Sequence, residues 1–92
     1  MALQITEQRN AFMLHGAINQ TTSKSFMQHF EFLLQLNNEL TIDINNVHEI
    51  DSDGMDALKA LYGHALVANK KFNIVGYGCK EIYDEFRYKS VA

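Results

Sequence analysis

The sequence contains no proline, no tryptophan and only one cysteine, Cys79. A single cysteine cannot form an internal disulfide, so we expect a reducing compartment and predict a cytoplasmic protein. No window approaches the roughly 18 consecutive apolar residues that span a bilayer, so membrane insertion is not expected. Residues 1–10 lack a basic head followed by an apolar run, so no signal peptide is predicted.

Basic residues are also few. Eight Lys and Arg stand against eleven Asp and Glu, which gives a formal net charge of −3 without any basic cluster. Because phosphate binding needs clustered Lys and Arg, nucleic acid is not expected as a partner. The histidines are scattered without the spacing of a transition-metal site, at His15, His29, His48 and His64.

The 92 residues, 47% of them apolar, suffice for one small folded domain. Alternation predicts four strands, near Leu3–Ile5, at Ala11–His15, at Leu40–Ile44 and at Lys71–Tyr77. Gly16–Asn19 should end the second of these strands. Helical spacing predicts helices at Ser25–Leu36, along Met55, Leu58, Leu61, Tyr62, Ala65 and Leu66, and around Ile82, Tyr83 and Phe86.

Helices that separate the later strands require parallel pairing between those strands. The sequence therefore predicts a single α/β domain in which helices pack on a four-stranded mixed sheet. The predicted order of elements is β-β-α-β-α-β-α.

The segment HEIDSDGMDAL, from His48 to Leu58, carries most of the polar chemistry. With Gly54 at position 6 of a calcium loop, Glu49, Asp51 and Asp53 would occupy positions 1, 3 and 5. Position 12 would then be Ala60 instead of the glutamate that closes the calcium site. We therefore predict no metal site and no cofactor.

A catalytic Ser52 would need a histidine base. His64 lies about three helical turns away, too far to reach back. His48 is not excluded by distance, but no oxyanion-type motif accompanies Ser52. We therefore predict no catalytic residues and a protein that is not an enzyme.

The acidic segment also has the composition of a helix N-terminus, where Ser and Asp are preferred caps. If Asp53 is the cap, Asp56 follows three residues later as a weak capping box. Ser52 would then be exposed at a strand-to-helix corner. A phosphate on it would add nearly two negative charges where the helix dipole tolerates an anion. Its effect would fall mainly on a protein that docks nearby.

The segment LTIDINNVHEIDSDGMDAL resembles the signature of STAS domains, which include the bacterial anti-sigma factor antagonists. The matching residues are Asp43, Val47, Ile50, Asp51, Ser52 and Gly54, while Met55 replaces the usual leucine. Gly16–Asn19 resembles the start of the family's first helix, and KKFNIVGYG resembles its last strand. The resemblance thus covers nearly the whole chain and implies one STAS domain over residues 1–92.

In that family the serine after the aspartate is phosphorylated by a kinase that is also the anti-sigma factor, and this position falls on Ser52. The resemblance implies a switch loop of Asp51, Ser52, Asp53 and Gly54, with a serine kinase and a cognate phosphatase as partners. Asp53 departs from the family's usual Ser or Thr, so a negative charge already lies beside Ser52. The alternative implied function is a STAS subunit that docks on and regulates an ABC-type transporter ATPase, as in bacterial phospholipid transport.

The helix after Ser52 offers a candidate partner-binding face. It is small and smooth, and it points away from the apolar stripe; its residues are Asp56, Lys59, Ala60, Gly63 and Val67. On the first helix, His29, Phe32 and Leu36 indicate either a wide buried stripe or a partner or dimer surface, and the buried stripe is expected. We expect a monomer or a weak homodimer.

Overall fold

The computed structural model describes residues 3–9 and 11–87, and its elements follow the predicted order. They are β1 (Leu3–Gln8), β2 (Ala11–Ile18), α1 (Ser23–Leu36), β3 (Glu39–Ile50), α2 (Ser52–Val67), β4 (Lys71–Val75) and α3 (Lys80–Arg87). Among these helices none is long and apolar enough to cross a membrane.

The four strands lie side by side in their sequence order, β1-β2-β3-β4. β1 pairs with β2 antiparallel, whereas β2 with β3 and β3 with β4 pair parallel, which confirms the mixed sheet. Two parallel crossovers in the same direction are expected to place α1 and α2 on one face of the sheet, and the two helices contact each other and share one core. The two helices touch through Glu31 and His64, and Lys70 reaches the carbonyl of Leu34.

The core lies between this sheet face and the helices. Leu40, Ile42 and Ile44 share the inner face of β3, as predicted, and are at most 1% exposed. They pack in one cluster with buried residues of both helices, namely Phe26, Phe30, Leu34, Leu58, Leu61 and Ala65. Burial of such side chains contributes about 1.5–3 kcal/mol each and fixes α2 against the sheet.

Two strands are longer than the sequence predicted. β2 continues through Gly16, which has a φ of 118°, to Ile18, so the predicted break there is wrong. β3 continues to Ile50 because two register shifts against β2 place extra residues on β3. The buried positions therefore change from a spacing of two to a spacing of three, at Ile44 and Val47.

Two side-chain predictions on the helices were also wrong. Leu66 was assigned to the buried stripe of α2 but is 60% exposed, whereas Ala57 is buried. On α1, Phe32 is 60% and Leu36 is 66% exposed, so the wide buried stripe is not present. These two apolar side chains lie on the surface of α1.

Smaller differences occur at the element ends. α1 begins at Ser23 after an N-cap at Thr22, whose side chain makes no capping hydrogen bond. β4 ends at Val75, two residues earlier than predicted, where Gly76 takes a φ of 97°. α3 buries Ile82 and Phe86 as predicted.

Candidate functional site

The candidate site is the corner at which β3 ends and α2 begins. Asp51 is the N-cap, because its extended backbone turns the chain and its Oδ1 accepts a 2.8 Å hydrogen bond from the N–H of Gly54. The expectation that Asp53 could be the cap was wrong, and Asp53 is an exposed residue of the first turn. Ser52, Asp53 and Gly54 therefore belong to the helix and not to a loop.

Asp51 also holds the neighbouring loop between β2 and α1. Its Oδ2 accepts a 3.0 Å hydrogen bond from the N–H of Gln20, and its own N–H donates to the carbonyl of Ile18 at 3.2 Å. Both carboxylate oxygens are thus engaged by backbone N–H groups. This carboxylate stabilises the corner, and its position is set from two sides.

Gly54 is required by packing. A Cβ atom on this residue would lie 2.1 Å from the carbonyl oxygen of Ile18 and 2.9 Å from Cγ1 of Ile50. The first turn of α2 therefore approaches the end of β2 more closely than any residue with a side chain allows. The sequence alone placed Gly54 in the switch loop, whereas its contacts are those of a structural residue.

Ser52 differs from both neighbours in that it is exposed and unconstrained. It is the first residue of α2, and its hydroxyl makes no hydrogen bond with any other described residue. Its backbone N–H and that of Asp53 also have no acceptor within residues 3–9 and 11–87, as is usual in the first turn of a helix. The hydroxyl is thus presented to solvent on a fixed backbone.

The predicted partner-binding residues follow from Ser52 along the outer side of α2. Asp56 and Lys59 are exposed, Ala60 and Gly63 are half-buried, and Val67 is 90% exposed. A Cβ atom on Gly63 would meet nothing within 4 Å. Ser52 and Gly63 are eleven positions apart, which is about three helical turns or about 16 Å, so they face the same side.

One member of this face has a partner on another helix. Lys59 Nζ lies 3.2 Å from Oε2 of Glu85 on α3, and both side chains are partly exposed. An ion pair of this exposure contributes little to stability. The ion pair does direct the Lys59 side chain toward α3 and away from Gly63. The middle of the face around Gly63 therefore has no long side chain on it.

Sequence reasoning included Asn19 in the segment Gly16–Asn19 but missed its role, which is to shape the loop beside the corner. Its Oδ1 accepts hydrogen bonds from the N–H groups of Thr21 at 2.9 Å and Thr22 at 3.1 Å. The hydroxyl of Thr22 in turn accepts from the N–H of Asn19 and donates to the carbonyl of Ala17, both at 2.9 Å. The sequence Asn-Gln-Thr-Thr at residues 19–22 contains turn-forming residues that could have identified this loop.

The structure also bears on the metal site and the histidine base that the sequence analysis considered. Residues 3–9 and 11–87 contain no group of three or more His, Cys, Asp or Glu side chains that could hold a metal ion. His48 lies exposed on β3, and His64 contacts Glu31 of α1. The contact of His64 is thus directed to the neighbouring helix.

The comparison with protein families agrees with this architecture. The STAS domain model matches residues 2–79, and the chain therefore belongs to the STAS domain family. No curated protein matches the sequence.

Solved structures with the same fold include two anti-sigma factor antagonists. SpoIIAA in its unphosphorylated form matches with a TM-score of 0.71 at 9% identity, over 95% of this chain and 83% of that chain. An antagonist from Mycobacterium paratuberculosis matches with a TM-score of 0.68 at 18% identity, over 98% and 78%. A structure of Mglu matches 80% of this chain at 12% identity with a TM-score of 0.65, but this chain spans only 19% of Mglu.

Proposed function

We propose that this STAS domain is a non-catalytic partner switch of the anti-sigma factor antagonist kind, controlled by phosphorylation of Ser52. Unphosphorylated, it binds a protein partner through the outer face of α2. The partner is an anti-sigma factor-type serine kinase, and a cognate phosphatase restores the binding form. The cycle takes place in the cytoplasm.

The observation that carries this proposal is the exposed, unbonded hydroxyl of Ser52 between two constrained residues. Asp51 is held by two hydrogen bonds and Gly54 by its contact with Ile18, so the serine occupies a defined position on the surface. By contrast, the hydroxyl of Thr22 is half-buried and already makes two hydrogen bonds. A kinase can therefore reach Ser52 without displacing an existing contact.

The physical effect of the phosphate would be mainly electrostatic. Asp51, Asp53 and Asp56 are all exposed within about one turn of Ser52, and phosphate adds roughly 1.5–2 further negative charges. The helix dipole tolerates an anion at this end, so the fold is retained. A partner edge that is acidic or loses its hydration on docking along α2 is then repelled.

The test is to identify the phosphorylated residue. The protein purified from its native host is weighed intact, incubated with ATP and its host's serine kinases, and mapped by fragmentation. We expect one phosphate on Ser52 and none on the Ser52→Ala variant. Phosphate on Thr21, on Thr22 or on Ser90, which lies outside the described residues, would contradict the proposal.

The alternative function, docking on an ABC-type transporter ATPase, predicts a different result in the same experiment. The α2 face would bind the ATPase whether or not Ser52 carries phosphate. An unmodified protein that forms a stable complex with an ATPase, together with an equally strong complex of Ser52→Ala and of the phosphorylated form, would favour this alternative.

A further inference from the structure

Two segments that lie far apart in the sequence meet beside Ser52. The β2–α1 loop, residues 19–22, and the end of β2 before it are hydrogen-bonded to Asp51, the N-cap of α2. The N–H of Gln20 donates to Oδ2 of Asp51 at 3.0 Å, and the N–H of Asp51 donates to the carbonyl of Ile18 at 3.2 Å. Since consecutive Cα atoms are about 3.8 Å apart, the backbone of Gln20 lies within roughly 10 Å of that of Ser52.

The β2–α1 loop presents two uncharged side chains to solvent. Gln20 and Thr21 are exposed, whereas Thr22 is half-buried. The backbone at Thr21 is fixed, because its N–H donates to Oδ1 of Asn19 at 2.9 Å. The hydrogen bonds of Gln20 and Thr21 to other described residues use their backbone N–H groups and leave their side chains unbonded. Both side chains therefore extend from a fixed backbone next to Ser52.

Ser52 itself is held in a helical turn and not in an extended segment. Oδ1 of Asp51 accepts from the N–H of Gly54 at 2.8 Å, and the N–H of Met55 donates to the carbonyl of Asp51 at 2.9 Å. An enzyme that reads a linear motif binds its substrate as an extended segment. Extension here would break these two hydrogen bonds and the two that join Asp51 to the end of β2 and to the loop. At the low end of typical net strengths, four hydrogen bonds leave only about one molecule in thirty in such an open form.

The carboxylate of Asp51 is also a poor recognition signal in the folded chain. Both of its oxygens already accept hydrogen bonds from backbone N–H groups. The carboxylates of Asp53 and Asp56 are exposed on the first turns of α2. The groups that an enzyme meets around Ser52 are therefore these two carboxylates and the exposed side chains of the β2–α1 loop. They come from two separate segments of the sequence.

We propose that the kinase acting on Ser52 recognises a composite surface, the loop–corner surface, formed by Gln20, Thr21, Ser52, Asp53 and Asp56. This inference rests on the proposed function, since it requires that Ser52 is phosphorylated. Even a small transient interface buries about 600 Å² of each partner, and such a patch reaches about 14 Å from its centre. A patch centred on Ser52 covers Gln20 and Thr21. The kinase is therefore of the kind that docks on a folded domain, and these two residues determine its specificity.

The test compares the phosphorylation of Ser52 in variants of the full chain by the host kinase that modifies the wild type. Gln20→Trp and Thr21→Trp each add a large uncharged side chain without removing a hydrogen bond, because the bonds at both positions use backbone N–H groups. We expect each to lower kcat/KM by about tenfold or more. Gln35→Trp is the matched control and should react as wild type does. Gln35 is exposed but lies about 18 Å along α1 from its first residue.

A second arm of the test supplies the linear sequence without the fold. A peptide of residues 46–58 lacks the β2–α1 loop and is too short to hold a stable helix by itself. A kinase that docks on the loop–corner surface should phosphorylate this peptide with a kcat/KM about tenfold or more below that of the full chain. A kinase that reads a linear motif should instead prefer the peptide, because the peptide has no closed turn to open. The two kinds of kinase therefore predict opposite rankings.

The possible results separate this inference from the proposed function. Far-UV circular dichroism and the thermal midpoint check that the variants keep the fold, and if either variant lowers the midpoint, the peptide decides. A peptide that reacts as well as the full chain would overturn the inference, and so would folded Gln20→Trp and Thr21→Trp variants that react as Gln35→Trp does. Phosphorylation of Ser52 would stand in both cases. A wild-type chain that acquires no phosphate on Ser52 would overturn the proposed function, and this inference with it, before any variant is compared.

Discussion

Oδ2 of Asp51 accepts a 3.0 Å hydrogen bond from the backbone N–H of Gln20, a residue 31 positions earlier in the chain. The same carboxylate caps α2 through the N–H of Gly54. One side chain therefore joins the loops that follow β2 and β3. Ser52, the next residue, is presented on a corner that is fixed from both sides.

Asp51→Ala should destabilise the protein by about 1–2 kcal/mol, because the helix cap is lost. The N–H of Gln20 also loses its acceptor. Asp51→Asn should lower the free energy of unfolding by less, since Asn caps helices nearly as well as Asp. Urea unfolding measures both, with Asp53→Ala as the control, which removes only a dipole interaction of about 0.3–1 kcal/mol. If Asp53→Ala costs as much as Asp51→Ala, the cap assignment is wrong.

The two glycines of α2 should respond in opposite ways to alanine. Gly54→Ala places a Cβ atom 2.1 Å from the Ile18 carbonyl oxygen and should cost about 1–3 kcal/mol or more. Gly63→Ala meets nothing within 4 Å and should stabilise the helix by about 0.8–1 kcal/mol. Thermal unfolding of the pair measures the difference. Similar midpoints for the two variants would contradict the close approach of α2 to β2.

The order of elements and the parallel pairing could be predicted because they follow from local alternation and helical spacing. Leu40, Ile42 and Ile44 illustrate this, since their alternation alone identifies the inner face of β3. The second half of β3 could not be predicted, because each register shift against β2 adds a residue and destroys the period of two. That information lies in the pairing and not in the segment itself.

At the candidate site, too, some features could be predicted from the sequence and others could not. Asp51 and Asp53 are equally good caps by residue type, and only the three-dimensional structure identifies Asp51, whose Oδ1 accepts the hydrogen bond from the N–H of Gly54. Ser52 could be identified from its resemblance to the family serine. Its exposure and its unbonded hydroxyl follow from the three-dimensional position of α2.

The buried thiol of Cys79 should make the protein less stable in alkali. Burial raises the pKa of Cys79 above its ordinary value of 9.0, so the folded state holds the proton more tightly than the unfolded chain. The contribution of this protonated thiol to the free energy of unfolding is complete below about pH 9.0 and is lost as the pH rises through the folded-state pKa of Cys79. Denaturant unfolding between pH 7.5 and 10.5 should therefore show a steeper decline for wild type than for Cys79→Ala. Parallel declines would contradict this assignment.

Gly63→Arg should abolish partner binding while the fold stays intact. The new side chain would stand on the outer face of α2, where an added Cβ would meet no atom within 4 Å apart from the neighbouring backbone of its own helix, so no core contact is lost. Arg is also a better helix former than Gly, by about 0.8–1 kcal/mol. Far-UV circular dichroism and the thermal midpoint should therefore be unchanged or slightly improved. Gln28→Arg, an exposed position on α1, adds the same charge elsewhere and should bind as wild type does.

Ser52→Asp should weaken the same complex, but less than phosphorylation does. The substitution adds one negative charge, whereas phosphate adds nearly two together with three strong acceptor oxygens. Titration calorimetry with the cognate partner would therefore rank the affinities as wild type, then Ser52→Asp, then the phosphorylated protein. If Gly63→Arg binds as tightly as wild type, the docking surface is not the outer face of α2. The surface around Phe32 and Leu36 of α1 would then be the candidate.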